Sequence, residues 1–472
     1  MLKKIPLAKQ WYQHKEKPFT QEALLNVFAE PGSAASPGVG EFVLRRRPGA
    51  AAFATLGSGE SRGFVTKSLT KMLFACAGDR VFKIDSSGIV TALGGSLLTL
   101  TGPVTFAENS AGKMALCDGQ YLYTFTDTTV TQVTDVDLPQ VATIDCHDGF
   151  GVFPILGTNK FGITSNNDFT AYDALDYAAA EKQQDILLRV VSMGEYLYMF
   201  GEKTIELWYN AGGADFPFAR ASGGTVDCGL AAVHSVAKMD GQLFFLADDG
   251  TVRRTSGGGQ PQIISTRPID DAISASEEKA DAEGFAFVWG GHSFYVLTLP
   301  DVGTFCYDSS VDVWTEWATD GHNRCVFRFY SSNYNKHLVG NYATGAVYEL
   351  ADAAYTDAGT MVPVEIVLPP IHADGNPFFV ASLTVDFKGG QGLVSGSAPQ
   401  VMLSYSRDGG FTWSSEAWRS LSLGAIGEYD RRVKWTRLGR FRESAMFKLR
   451  ITDPVSVAVF GAQANIQVGE AQ

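Results

Sequence analysis

The stretch "EYLYMFGEKTIELWY" (195–209) decides the reading of the fold. An aromatic run, a polar turn and a second β-branched and aromatic run spell two short strands joined by a tight reversal. The same grammar recurs in "RVFKIDSSGIVTAL" (80–93), "QYLYTFTDTTVTQV" (120–133), "GQLFFLADDGTVRRT" (241–255), "HSFYVLTLPDVGTFCYD" (292–308) and "KHLVGNYATGAVYEL" (336–350). The starts lie roughly 40 to 50 residues apart, and "GFGVFPILGTNKFGITS" (149–165) supplies a unit of the same form in the longer gap after the second. Four-stranded units of this period, set radially so that each covers its neighbour's apolar face, make a β-propeller. No Trp-Asp or kelch signature recurs, so the reading rests on pattern and spacing, and two packed sandwiches are the competing arrangement.

Composition supports an all-β chain. At 472 residues there is room for two or three cores, and 45% hydrophobic with 12% aromatic content is ample for burial. Fifty glycines break the sequence into short runs, and long stretches of 3.6-residue periodicity are nearly missing. Two stretches, "ALDYAAAEKQQDILLRVV" (174–191) and "IDDAISASEEKADAEG" (269–284), read as short helical insertions.

The repeat grammar stops near "YTDAGTMVPVEIVLPPIHADGNP" (355–377), and the alternating strands beyond it read as a C-terminal β-sandwich. The first 40 residues lack sustained alternation and read as an extended arm that packs on the body or reaches a neighbour. The expected division is an N-terminal arm over 1–40, a β-propeller-like body over 41–357 and a sandwich over 358–472.

The net charge of −13 argues against general, charge-driven binding to nucleic acid. The charge is uneven. From Met361 onward 11 Lys and Arg face 10 Asp and Glu, a balance of +1 that leaves −14 on the rest. The six cysteines (Cys76, Cys117, Cys146, Cys228, Cys306, Cys325) form no CxxC pair, and no apolar run reaches signal-peptide or membrane-spanning length. Free thiols, a cytoplasmic setting and no membrane insertion are the expectation.

Few motifs carry chemistry. "SRDGGFTW" (406–413) fits the Asp-box form, with Ser406, Asp408, Gly410 and Trp413 able to staple a hairpin turn. Propeller glycosidases carry such boxes, but the motif is structural. A catalytic reading needs paired carboxylates or a Tyr/Glu nucleophile with arginines. Glu206 with Tyr209, and Arg328 with Tyr330, offer the residue types without a diagnostic spacing. The seven histidines show no ligand spacing, no Walker loop or GxSxG elbow is present, and no cofactor or metal is expected.

The densest basic run is "YDRRVKWTRLGRFR" (429–442), carrying Arg431, Arg432, Lys434, Arg437, Arg440 and Arg442. On a strand, Arg432 and Lys434 share one face while Val433 and Trp435 share the other. That describes a half-buried strand with a solvated basic face, or a face that docks on an acidic partner, ahead of direct DNA contact.

The same residues carry a resemblance. Tyr429, Asp430, Arg431, Arg432, Val433, Trp435, Arg437, Gly439 and Arg440, followed by Phe447, Lys448, Leu449 and Arg450, are similar to the C-terminal signature of the packaged-DNA stabilisation proteins of short-tailed bacteriophages, also described as tail accessory factors or tail hub proteins. "NVFAEPG" (26–32), "LRRRPG" (44–49), "FGEKTIELWY" (200–209) and "PIDDAISASEEKA" (268–280) resemble further patterns of that family. The resemblance implies a structural virion protein without catalysis. It implies a homo-oligomeric ring, sixfold in expectation, that docks below the portal and its adaptor ring. Such a ring would extend the DNA channel with packaged DNA close by, help hold that DNA, and offer attachment to a tail needle and tailspikes. A virion component assembled in the host cytoplasm follows. A propeller glycosidase and a soluble propeller scaffold are the alternatives.

Overall fold

The computed structural model describes residues 2–7, 11–13, 21–32, 42–180, 185–213, 216–373, 375–390, 398–415, 420–429 and 432–468. Among them, seven four-stranded antiparallel units follow one another: 61–92, 105–132, 145–179, 187–226, 237–263, 283–317 and 327–351, the last completed by a strand from upstream. The hairpins singled out by their grammar are the middle strands of blades three to seven and the outer strands of blades one and two.

The near-continuous apolar runs follow from burial on both faces. In Tyr196–Gly201 of blade four, Leu197 and Met199 join a core shared with Val152, Phe161 and Ile163 of blade three. The alternate residues Tyr198 and Phe200 join a core shared with Leu243 and Phe245 of blade five. One strand thus supplies both neighbours, which is why its sequence lacks a polar face.

The ring closes through a strand exchange. Gly49–Thr55 pairs antiparallel with Ala346–Ala351 as the fourth strand of blade seven, and the chain then enters blade one at Ser61–Thr66. Gly49 has no substitute there, because a Cβ would stand 2.6 Å from the Thr356 carbonyl oxygen.

The sandwich is composite. One sheet runs Val433–Phe441, Phe378–Phe387, Ala458–Val468, Phe42–Arg46, Val27–Pro31, with Leu2–Ile5 also on Ala458–Val468. The facing strands are Val364–Val367, Ser444–Ile451, Gln400–Ser406 and Leu421–Ser422. Ile5, Leu24, Val27, Ala29 and Leu44 are buried in its core beside Leu383, Trp435, Phe447 and Val459. The described part of the expected arm therefore runs extended and is stitched into both the sandwich and the propeller, where Trp11 and Ala23 join the core of blades five and six. The boundary at 41 shifts accordingly: Phe42–Arg46 belongs to the sandwich, since Leu44 points into that core, and the propeller starts at Gly49.

The two modules share a sheet. Leu24–Leu25 lies between Val313–Trp317, the outer strand of blade six, and Val364–Val367 of the sandwich, so blade six continues into the second module. The expected helix over 174–191 is corrected. Asp168–Ala179 is the outer strand of blade three and Leu187–Met193 the inner strand of blade four, while 181–184 lie outside the described residues. Alanine-rich helix propensity is a weak prior, and pairing with Lys160–Ser165 overrides it. In 269–284 the helix occupies Arg267–Ala275, followed by a 3-10 turn at Lys279–Asp281.

Candidate docking surface

The propeller's central channel is a cavity of about 390 Å³ between the seven inner strands, lined by Phe64, Phe106, Asp145, Arg189, His234, Lys238, Phe285 and Tyr330 among others. Its charged groups are already engaged, one pair with each other and the remaining cation with the backbone. Asp145 pairs with Lys238 at 2.7 Å, and the Arg189 guanidinium donates to the Val233 carbonyl at 2.6 Å. Burial, with Arg189 and Arg328 nearby, pushes the His234 imidazole down to about 3, so it stays neutral. Asp145 is the one carboxylate among the described lining residues.

The residues weighed for catalysis are kept apart. Glu206 is buried in blade four, where it accepts from the Trp208 indole at 3.2 Å, whereas Tyr209 is exposed. Tyr209 opens into a rim pocket of about 530 Å³ with His147, Asp148 and Glu195, and no arginine lines it. Asp148 there already accepts from Asn210 at 3.0 Å. Arg328 is buried between Glu283 and Glu60, the latter at 2.9 Å, and the Tyr330 hydroxyl meets His337 at 2.7 Å. An arginine held by two carboxylates has no capacity left for a substrate carboxylate. The six cysteine sulfurs form no disulfide, and among the described residues no group of three or more His, Cys, Asp or Glu is placed to hold a metal ion.

The Asp-box sequence forms a tight turn after Gln400–Ser406. The Ser406 hydroxyl donates to Asp408 at 2.7 Å and accepts from the Gly410 amide at 2.8 Å; Asp408 accepts from the Thr412 amide at 3.0 Å and its hydroxyl at 2.5 Å. Bonds from Thr412, then Ser406, hold the Asp408 carboxyl well below the usual carboxylate range. Gly409 and Gly410 have φ of 72° and 94°, which side chains disfavour. Trp413 packs against the core of blades five and six, so the turn fastens the sandwich to the propeller.

Sequence reading missed the residues that lock the modules together. In "LRRRPG", Arg47 is buried and ion-paired with buried Asp357 at 2.7 Å, while its Nε donates to Asn26 at 2.8 Å. Burial alone would lower the Arg47 guanidinium, yet Asp357 lifts it above its ordinary value. Asn26 in turn donates to the carbonyls of Ala318 in blade six and Pro363 at the sandwich entrance, at 2.8 and 2.7 Å. Arg46 donates to the carbonyls of Asp453 and Val455 at 2.8 and 3.0 Å, and to Tyr355 at 2.9 Å. Two arginines that look like a basic surface are thus buried at the joint.

The basic run forms an edge strand, Val433–Phe441, whose Val433, Trp435, Leu438 and Phe441 point into the sandwich core. Lys434, Arg437 and Arg440 face solvent, and Arg442 is exposed just beyond. Arg437 sits at a bulge with φ of 57°. Arg432 pairs with Asp386 at 3.1 Å. Arg431 lies outside the described residues.

With this geometry in view, two family models match in succession: the β-propeller of bacteriophage P22 Gp10 over residues 3–355 and the β-sandwich of the same protein over 364–467. The chain belongs to the P22 Gp10 family. A curated relative, the tail hub protein gp10 of Salmonella phage P22, is 25% identical over 442 residues, covering 87% of this chain and 88% of its own. Membership makes this chain a structural protein of a phage tail. Among solved structures, the computationally designed Ika8 protein covers 64% of this chain and 99% of its own at 10% identity and a TM-score of 0.41. PorZ of Porphyromonas gingivalis covers 65% of this chain and 38% of its own, also at 10% and 0.41. Neither likeness is close enough to carry an argument.

Proposed function

We propose that this chain is the hub subunit of a short-tailed phage. Copies form a closed ring below the portal and its adaptor, extend the DNA channel, help retain packaged DNA, and offer attachment to needle and tailspike proteins without catalysing a reaction. The observation that carries the reading is the pair of family models, which together span almost the whole chain in the order of its two modules. A joint built on a buried ion pair and a shared sheet suits a rigid subunit, and a channel that offers one carboxylate among its described lining residues, already paired with Lys238, suits a structural role better than a glycosidase site. Retention of DNA would then be mechanical, each heterologous contact repeating until the circle closes. The test is a phage deleted for this gene. Heads should package DNA and then lose it, read as empty capsids in micrographs and nuclease-sensitive genomes. Stable, DNA-filled heads in the absence of the chain would contradict the proposal.

A further inference from the structure

Two exposed surfaces of opposite character lie on different modules. The first is the outer face of the sandwich sheet that carries the basic strand. Its register aligns Lys4, Gln463, Thr384 and Lys434 in one row across four strands, then Leu2, Asn465, Ser382 and Thr436, then Gln467, Phe379 and Arg440. Residues directly opposite share a face, so Lys4 flanks Leu2 (68% exposed) at one edge of the sheet and Arg440 lies beside Phe379 (46%) toward the other, on the strand that also carries Lys434, with Ser382 and Thr384 buried between. Asp386, one step beyond the first row and opposite Gly461, is taken by Arg432.

The second is the outer rim of blade three. The edge strand Asp168–Ala179 and the loop 134–139 pack through Tyr172 and Leu138 onto one core. Above that core Leu175 is 81% and Val136 94% exposed. Asp173 and Asp176 lie on this strand and Asp137 in this loop, next to Leu138 and Tyr172 on the shared core, and burial and then these carboxylates push the Tyr172 phenol up. Asp135 caps the loop by accepting from the Asp137 amide at 3.0 Å. Two cations meet this strand, Lys160 over the Tyr177 ring at 4.3 Å and Lys113 at its far end, paired with Asp168 at 3.6 Å.

From these two surfaces we infer that the basic, apolar sandwich face of one copy docks on the acidic, apolar rim of blade three of the next. Opposite charge around exposed apolar groups is the pairing an interface core and rim require. Placement agrees. The sandwich joins the propeller at blades six and seven, and blade three stands half a turn away in a ring of seven. Complementary patches at opposite ends of one chain make a heterologous contact, which repeats head to tail. DNA fits the basic face less well, because the cations are set beside Leu2 and Phe379 on a molecule of net charge −13. The inference rests on the ring reading and specifies its contact.

The test mixes isotopically light and heavy copies of the full chain at low salt and joins them with a zero-length carbodiimide, which links lysine amines to carboxylates. Mixed-isotope links from Lys4 or Lys434 to Asp137, Asp173 or Asp176 are expected. Asp173→Asn with Asp176→Asn, and separately Lys434→Gln with Arg440→Gln, should each weaken association by roughly tenfold, two modest charge pairs being lost. Mixing the two variants at a concentration where neither associates alone should give one-to-one dimers. Association through other links would overturn this contact and leave the ring standing. DNA binding by the basic face with no self-association, or no association under any condition, would overturn both.

Discussion

Arg47 shows how a single side chain decides the relation of two modules. It and Asp357 are both fully buried, and Asn26 ties the pair to blade six and to the sandwich entrance. Removing one partner of a buried ion pair leaves the other uncompensated, at a cost of about 3 to 5 kcal/mol. Arg47→Met should lower unfolding stability by about that amount in denaturant titrations, whereas Arg47→Met with Asp357→Leu should recover much of it. Equal losses in the two variants would show that packing around the pair matters more than its charge. None of this was legible in the sequence, because nothing in "LRRRPG" distinguishes an arginine bound for a buried joint from one on the surface. Burial depends on Asp357, some 310 residues away. The basic strand was legible for the opposite reason: its alternation of Val433 and Trp435 with Lys434 is local.

At the scale of elements, the short strand Leu24–Leu25 unites blade six with the sandwich, and it sets Glu316 and Glu365 on either side of Leu25. Arg450 answers Glu365 at 3.3 Å. Burial pushes the Glu316 carboxyl up to about 7, partly offset by Trp11 and reinforced by Glu365. A raised acid holds its proton in the folded state after the unfolded chain has released it at about 4.3. Its contribution to stability is therefore complete below about 4.3 and is lost as pH rises toward and past 7. Glu316→Gln should accordingly gain on the original chain by about 1 to 3 kcal/mol at pH 8, and the gap should close near pH 4, by denaturant unfolding at both values. A gap independent of pH would remove the titration argument. Two-residue strands such as this one carry no periodicity, which is why the sandwich's N-terminal contribution could not be read ahead of the structure. Asp168–Ala179 misled in another way, since its alanines favour a helix when taken alone and only pairing within blade three makes it a strand.

For the molecule as a whole, seven blades closed by an upstream strand, and a sandwich built from both ends of the described chain, are interlocked through Leu24–Leu25 and the Arg47 joint. The hairpin grammar revealed the propeller because every blade repeats it; the interlocking depends on long-range pairings that repeat nowhere. An interlocked subunit resists distortion at its joint, which is the property a ring under load from packaged DNA needs. Electron microscopy of the tail on intact particles tests this most directly. The account predicts a closed ring of this chain coaxial with the portal, with DNA passing through the middle of the ring and no ligand in each propeller's own channel. Particles that lack the chain, or hold it as isolated copies with a ligand in the propeller channel, would contradict it.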